Sequence, residues 1–216
     1  MYLFIKRTFD IIFALFLLVV LSPLLLIFAI MIKIDDPKSS IFFKQKRIGK
    51  NEQVFEVIKF RTMKSPDKNS DNRSRVTKIG AFLRKTSFDE IPQMLNVIKG
   101  DMSLIGPRPL LVEYLPYYYE SERKRHYIRP GLSGLAQISG RNCLNWDQRF
   151  AIDVEYVEKM SLIFDIKIFA WTVAKILRRS DVAVASEELE FERLDVERKD
   201  DVQRPELLKR IQEGMY

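Results

Sequence analysis

The sequence predicts an α+β fold anchored in a membrane, and three observations carry that reading. Residues 11–32 form an uncharged apolar run, residues 40–63 hold two short stretches rich in aromatic and β-branched residues around a turn, and the remainder alternates helical periodicity with loops that combine Gly, Pro and Arg. With 216 residues, 47% of them apolar, the chain has enough material for one well-cored domain and a small appendage. Boundaries fall at 1–35 for the membrane-embedded helix, 36–179 for the main domain and 180–216 for an acidic tail. A single Cys143 and a single His126 exclude a disulfide framework and a Cys/His zinc cluster. Any metal must then be held by oxygen, which favours magnesium, manganese or calcium.

The apolar run "IIFALFLLVVLSPLLLIFAIMI" is 22 residues long, enough at helical rise to cross a hydrocarbon core of ~30 Å. Charged sequence follows at once with no small-residue cleavage site, so it is not a cleavable signal peptide. Ser22 and Pro23 stand at its centre. Proline removes a backbone hydrogen bond and bends a helix, and the serine hydroxyl can satisfy the carbonyl set free. Lys6 and Arg7 before the run, and Lys33, Lys38, Lys44, Lys46 and Arg47 after it, leave no charge asymmetry to orient a span. Both a bitopic helix and a re-entrant one that enters and leaves on the same side fit; the matched flanks favour the re-entrant form, with Lys6, Arg7, Ser22 and Pro23 as its anchoring residues.

The elements after it follow in order. "SIFFKQKRIG" and "VFEVIKFRTM" read as two strands joined through Gly49, Lys50 and Asn51, a β-hairpin. Residues 64–75 are polar and turn-rich, a loop. "IGAFLRKT" reads as a short helix, and Pro92, tolerated only in a first turn, sets the start of a second helix near Phe88 or Asp89 that runs to Gly100. "SLIGPRPLL" and "IRPGLSGLAQISGRN" fit neither periodicity and read as shaped loops whose glycines let backbone approach a phosphate and whose Arg108, Arg129 and Arg141 offer forked donors. Between them Tyr114, Tyr117, Tyr118, Tyr119 and Tyr127 crowd among Arg123, Lys124 and Arg125, which suits a lipid headgroup layer or a helix surface equally. "WDQRFAIDVEYVEKM" and "SLIFDIKIFAWTVAKILRR" read as two more helices, the second kept from spanning by Asp165 and Lys167. The segment from Ser180 carries 11 acids and 6 bases and reads as a solvated or partner-binding tail with a helix opening at Pro205, against 30 bases and 18 acids in the rest. That basic body attracts polyanions without choosing among them.

The most pointed feature is "TSFDEIPQML", where Asp89 and Glu90 stand side by side amid Lys and Arg. Capping explains such acids locally, with Ser87 and Glu90 spaced as a capping box. Catalysis is compatible with capping. The phrases "KRTFD" before the apolar run, "SP" inside it, "FFKQKRIG", "KFRTM", "TKIGAFLRKTSFDEIPQMLNVIKGDMSLIGPRP" and "RPGLSGLAQISGRN" together resemble the monotopic bacterial phosphoglycosyl transferases over about residues 1–178, and the tail lies outside the resemblance. Phe88 stands where that family usually has Leu, and Ser40 and Glu52 where it often has Pro or Gly.

The resemblance implies a magnesium-dependent enzyme at the cytoplasmic face of a bacterial inner membrane, moving a sugar 1-phosphate from a UDP-sugar to undecaprenyl phosphate with release of UMP. It implies a membrane helix broken at the Ser-Pro pair, and it makes Asp89 and Glu90 catalytic and metal-binding. The expected substrate-binding set is Lys59, Arg61, Arg84, Arg108, Pro109, Arg129, Gln137 and Arg141. A carboxylate at a helix start near Arg84 and Lys85 is expected to be held ionised by the dipole and its cationic neighbours. Membrane lipid is an expected partner and nucleic acid is not; a homo-oligomer and downstream glycosyltransferases are compatible partners. Two other readings stand against this one: a membrane-tethered polyanion binder, and a transferase that moves only the sugar and releases UDP.

Overall fold

A computed structural model describes residues 1–64, 75–140, 144–178 and 193–216. Residues 65–74 of the expected loop at 64–75, the candidate Arg141, Cys143 and the start of the acidic tail lie outside the described residues. Helix α1 runs from Tyr2 to Asp35 without interruption, where a break at Ser22-Pro23 is expected. The reason is local: Pro23 leaves the carbonyl of Val19 without its N–H partner, and Ser22 Oγ donates to that oxygen at 2.8 Å. Only the faces touching the rest of the protein are covered. Ala14 and its neighbours pack against Val97, Met102 and Leu104, whereas Phe28 and Ile32 pack against Phe60, Ile79 and Leu83. Both ends of the apolar helix are therefore held by the same body.

Strands β1 (Phe42–Ile48) and β2 (Val54–Phe60) form the expected antiparallel hairpin, with Phe42 opposite Phe60 and Ile48 opposite Val54. Its turn places Asn51 and Glu52 at φ +54° and +61°, a region costly for side chains other than glycine. Helix α2 (Lys78–Thr86) is capped by Thr77 Oγ1, which accepts from Gly80 N at 2.9 Å. A 3-10 turn over Phe88–Gln93 leads into α3 (Met94–Lys99), which stops at Gly100 with φ +102°.

Two strands have no counterpart in the sequence reading: β3 (Ser103–Ile105) and β4 (Gly131–Ser133) pair in parallel inside the segments read as loops. Three residues each are too few to show alternation. Their glycines serve this crossing: a Cβ on Gly131 would lie 2.1 Å from Gly106 N, and one on Gly134 would lie 2.3 Å from Gly106 O. Helices α4 (Leu135–Gly140), α5 (Trp146–Lys159) and α6 (Leu162–Arg178) follow, α5 opening on a capping box formed by Asn145 and Gln148.

Lys6 and Arg7, expected to anchor the chain to lipid, are instead turned into the protein. Arg7 donates to the carbonyls of Val97 and Ile98 at 2.7 and 3.1 Å, closing the C-terminal end of α3, and Lys6 pairs at 2.7 Å with Asp165 of α6. Tyr2 and Tyr156 hydroxyls donate to the same Asp165 carboxylate at 2.7 and 2.6 Å, so the charge that breaks the apolar pattern of α6 is a buried acceptor. The tyrosine cluster is mostly core: Tyr114, Tyr117 and Tyr118 are buried with Trp146 and Phe150, and Tyr119 and Tyr127 alone of the five are exposed.

The end of the tail packs onto the rest of the protein. Helices α7 (Leu194–Glu197) and α8 (Pro205–Gln212) bury Leu194 and Leu207 in that same core. Arg198, 7% exposed, donates to both carboxylate oxygens of Glu122 at 2.8 Å, to Asp147 at 2.5 Å and to the Tyr117 carbonyl at 2.9 Å, and stacks over Tyr119. Arg204 pairs with Glu52 at 2.8 Å, and the Tyr119 hydroxyl bonds Asp201. Removing one partner of a buried pair leaves the other charge uncompensated. Arg198→Ala is therefore expected to cost about 3–5 kcal/mol of stability, read as a fall in the denaturation midpoint of the detergent-solubilised protein, whereas Lys209→Ala on the exposed face of α8 leaves it unchanged.

Candidate active site

The site is built where β2 meets the 3-10 turn. Asn96 of α3, 1% exposed, acts as a substitute strand: its Oδ1 accepts from Ile58 N at 3.1 Å and its Nδ2 donates to Glu56 O at 2.7 Å. That staple fixes the turn and α3 against β2. Lys59, next along the strand, consequently reaches Glu90 Oε1 at 2.7 Å, and Arg108 reaches the same oxygen at 3.3 Å from the loop after β3.

Adjacent acids thus receive different treatment. Burial pushes the Glu90 carboxyl up, but Lys59 and Arg108 outweigh it and hold the group at about 2. Asp89 is pushed up to about 6 by burial and by the charge of Glu90, against the opposing fields of Lys59, Arg84 and Arg108. The expectation that Asp89 is held firmly ionised is thereby corrected: the turn is only one 3-10 segment, and burial beside a permanent anion outweighs its dipole and cations. Among the described residues the Asp89 carboxylate accepts no hydrogen bond and joins no ion pair. Nor does the capping box form: Ser87 sits at φ +57° with no side-chain cap, so neither acid is committed to capping.

The other candidates divide. Lys59 and Arg108 converge on the dyad. Arg84 adds its field while donating through Nε to Thr62 Oγ1 at 2.8 Å. Arg61 turns toward the start of β1, donating to Ser40 O at 2.8 Å. Arg129 donates to Gly100 O at 2.7 Å and lines a cavity with Lys6, Arg7, Asp10, Lys50 and Tyr127, away from the dyad's contacts. Gln137 donates weakly to Leu132 O at 3.4 Å, and its buried Oε1 lacks a partner among the described residues. Pro109 is buried and extends the backbone that carries Arg108. Sequence reasoning missed Asn96, and also Arg125 and Asp153, a pair with side chains 2% and 3% exposed at 2.8 Å. Buried polar side chains at helical core positions, such as Asn96 and Asp153, are the signal that would have found them.

The described residues contain no group of three or more His, Cys, Asp or Glu able to cage a metal. The hard oxygens of two adjacent carboxylates suit magnesium, which keeps its waters and completes its shell on substrate phosphates. The site can do two things chemically: present an unengaged carboxylate, and gather positive charge from Lys59, Arg84 and Arg108 around it.

Comparison with known proteins gives the class. Residues 1–179 match the bacterial sugar transferase family, and the chain belongs to it. Among its relatives, the uncharacterized sugar transferase EpsL of Bacillus subtilis is 46% identical over 178 residues, which cover 80% of this chain and 87% of that one. The exopolysaccharide production protein ExoY of Sinorhizobium fredii is 39% identical over 192 residues, covering 79% and 84%. The UDP-glucose:undecaprenyl-phosphate glucose-1-phosphate transferase of Escherichia coli is 39% identical over 184 residues, covering 79% of this chain and 39% of that larger protein.

The raised Asp89 has a measurable consequence. Its folded-state value of about 6 exceeds the unfolded one, so the folded state binds the extra proton, and Asp89 costs stability as pH rises from about 4 to about 6. Asp89→Asn removes that cost. The variant is expected to melt about 2–6 °C above the parent at pH 7.5, with the gap closing below about pH 4; a capping role predicts the opposite sign.

Proposed function

We propose that the protein transfers a sugar 1-phosphate from a UDP-sugar to undecaprenyl phosphate at the cytoplasmic face of the membrane, through a phosphosugar carried on Asp89. The observation that carries this reading is the split within the dyad, in which Glu90 is neutralised by Lys59 and Arg108 while Asp89 stands unpaired beside the same cations. An Asp89 oxygen attacks the β-phosphorus of the UDP-sugar, and the bond from that phosphorus to the bridging oxygen breaks, so UMP departs with the bridging oxygen. An oxygen of the lipid phosphate then attacks the same phosphorus, giving the polyprenyl diphosphate sugar and restoring the carboxylate. Lys59 and Arg108 stabilise charge gathering on the diphosphate, and Glu90, kept anionic, orients them. Magnesium, held by Asp89 and Glu90 together with the diphosphate, would supply additional charge neutralisation when bound.

Membrane placement supports the reading, because a lipid phosphate and a soluble nucleotide meet only at the interface. On α1, Phe4, Ile12, Phe16 and Val19 are exposed, as are Ile163, Ile166, Trp171 and Ile176 on α6, which packs beside it through Phe13 and Phe169. Apolar rows on two neighbouring helices suit insertion of α1 and a surface-lying α6. Because one body grips both ends of α1, a same-side, re-entrant path fits better than a crossing. Cysteines placed at Lys38 and before Phe4 in a Cys143→Ser background are expected to react with a membrane-impermeant reagent from the cytoplasmic side only.

Incubating the purified protein with a panel of UDP-sugars and no lipid is expected to release UMP and add the mass of a phosphosugar to the peptide carrying Asp89. Release of UDP, or strict ternary kinetics with no adduct, would overturn the mechanism. Asp89→Asn abolishes adduct and turnover, and Lys59→Met lowers the rate about 100-fold. Rates rise tenfold per pH unit below about 6, where ionisation of Asp89 limits the reaction.

A further inference from the structure

Arg108 owes its position to a backbone that is pinned on both sides. It lies between Pro107 and Pro109, whose rings fix φ and restrict the residue before each. The carbonyl of Pro107 accepts from Gly131 N at 2.9 Å, and the carbonyl of Arg108 itself accepts from Arg125 Nη2 at 2.8 Å. One peptide plane is thus held by the strand crossing and the next by a side chain.

That side chain is fully committed. A guanidinium has five N–H donors, and those of Arg125 all face acceptors. Nε and Nη2 donate to Asp153 Oδ2 at 3.1 and 2.8 Å, the second Nη2 proton goes to Arg108 O, and Nη1 lies 3.3 Å from both Tyr118 Oη and His126 Nε2. Burial pushes His126 down to about 4, so it is neutral and its Nε2 can accept. Tyr118 and Phe150 rings flank the guanidinium at 5.8 and 5.5 Å. A buried ion pair of this kind contributes little net stability over an apolar replacement, because desolvation offsets its attraction. What it does supply is a rigid, directed donor at one backbone oxygen.

We propose that Arg125, oriented by Asp153, is a positioning residue that aims Arg108 at the dyad by holding its carbonyl. This rests on the reading of the dyad given above. Lysine cannot replace it, since one ammonium cannot reach acceptors spread around a planar fork. Arg125→Lys and Asp153→Asn leave the Arg108 carbonyl without its directed donor, and small misplacements at a reacting centre are costly.

The test is single-turnover UMP release from the UDP-sugar that the wild-type protein accepts, with each variant alone and combined with Arg108→Ala. Either positioning variant is expected to slow release about 100-fold, with KM changed far less. Each should add nothing in the Arg108→Ala background, because both act through the same guanidinium. Asp153→Asn keeps the side chain's shape and carries the test where Arg125→Lys loses the fold. Additive losses, or a KM raised as much as the rate falls, would overturn the positioning role and leave the dyad's chemistry standing. Wild-type protein that releases no UMP from any UDP-sugar overturns the underlying reading and this proposal with it.

Discussion

The 2.7 Å contact between Lys59 and Glu90 is the interaction on which the site depends. Two carboxylates on consecutive residues cannot both be buried and charged at modest cost, so one must be given a partner before the other is usable. The hairpin supplies that partner from β2, and Asn96 supplies the alignment by taking the place of a neighbouring strand at Ile58 and Glu56. Arg108 shares the load from a loop set by the crossing of Gly106 with Gly131 and Gly134. Asp89 is what remains: a carboxyl pushed up by burial and by Glu90, unpaired among the described residues and costly to the fold.

A second set of buried charges lies in the aromatic core. Arg125 with Asp153, and Arg198 with Glu122, sit in one aromatic core together with Tyr118, Phe150 and Trp146. Glu52 joins that arrangement through Arg123, Arg204 and the nearby His126, from a backbone position at φ +61° that its side-chain partners must hold. The end of the tail, which lies beyond the family match, packs Leu194 and Leu207 into that core and supplies the cation that Glu122 faces.

The opposite side carries the exposed apolar surface. Cations flanking the apolar run close α3 and satisfy Asp165 inside the protein, and aromatic and aliphatic rows of α1 and α6 are left exposed. Under the proposed function this puts the dyad on a rigid body gripped to its own anchor at both ends, so that a headgroup phosphate and a soluble nucleotide can share one phosphorus.

Much was legible from residues alone where the signal is local. An uncharged run of 22 residues, aromatic and β-branched stretches around Gly49, a proline in a first turn and a pair of acids among bases each report on neighbours a few positions away. Those features determined the apolar helix, the hairpin, the helical turn at Phe88 and the location of the adjacent acids. Tertiary structure alone decided which acid is neutralised, that Arg129 and Arg61 turn elsewhere while Arg108 turns inward, that the loop glycines serve a backbone crossing, and that the acidic tail ends in a buried core. The reason is that a charge's state depends on groups 31 or 18 residues away brought to within 4 Å, and no periodicity in the chain records which distant partners the fold will bring together.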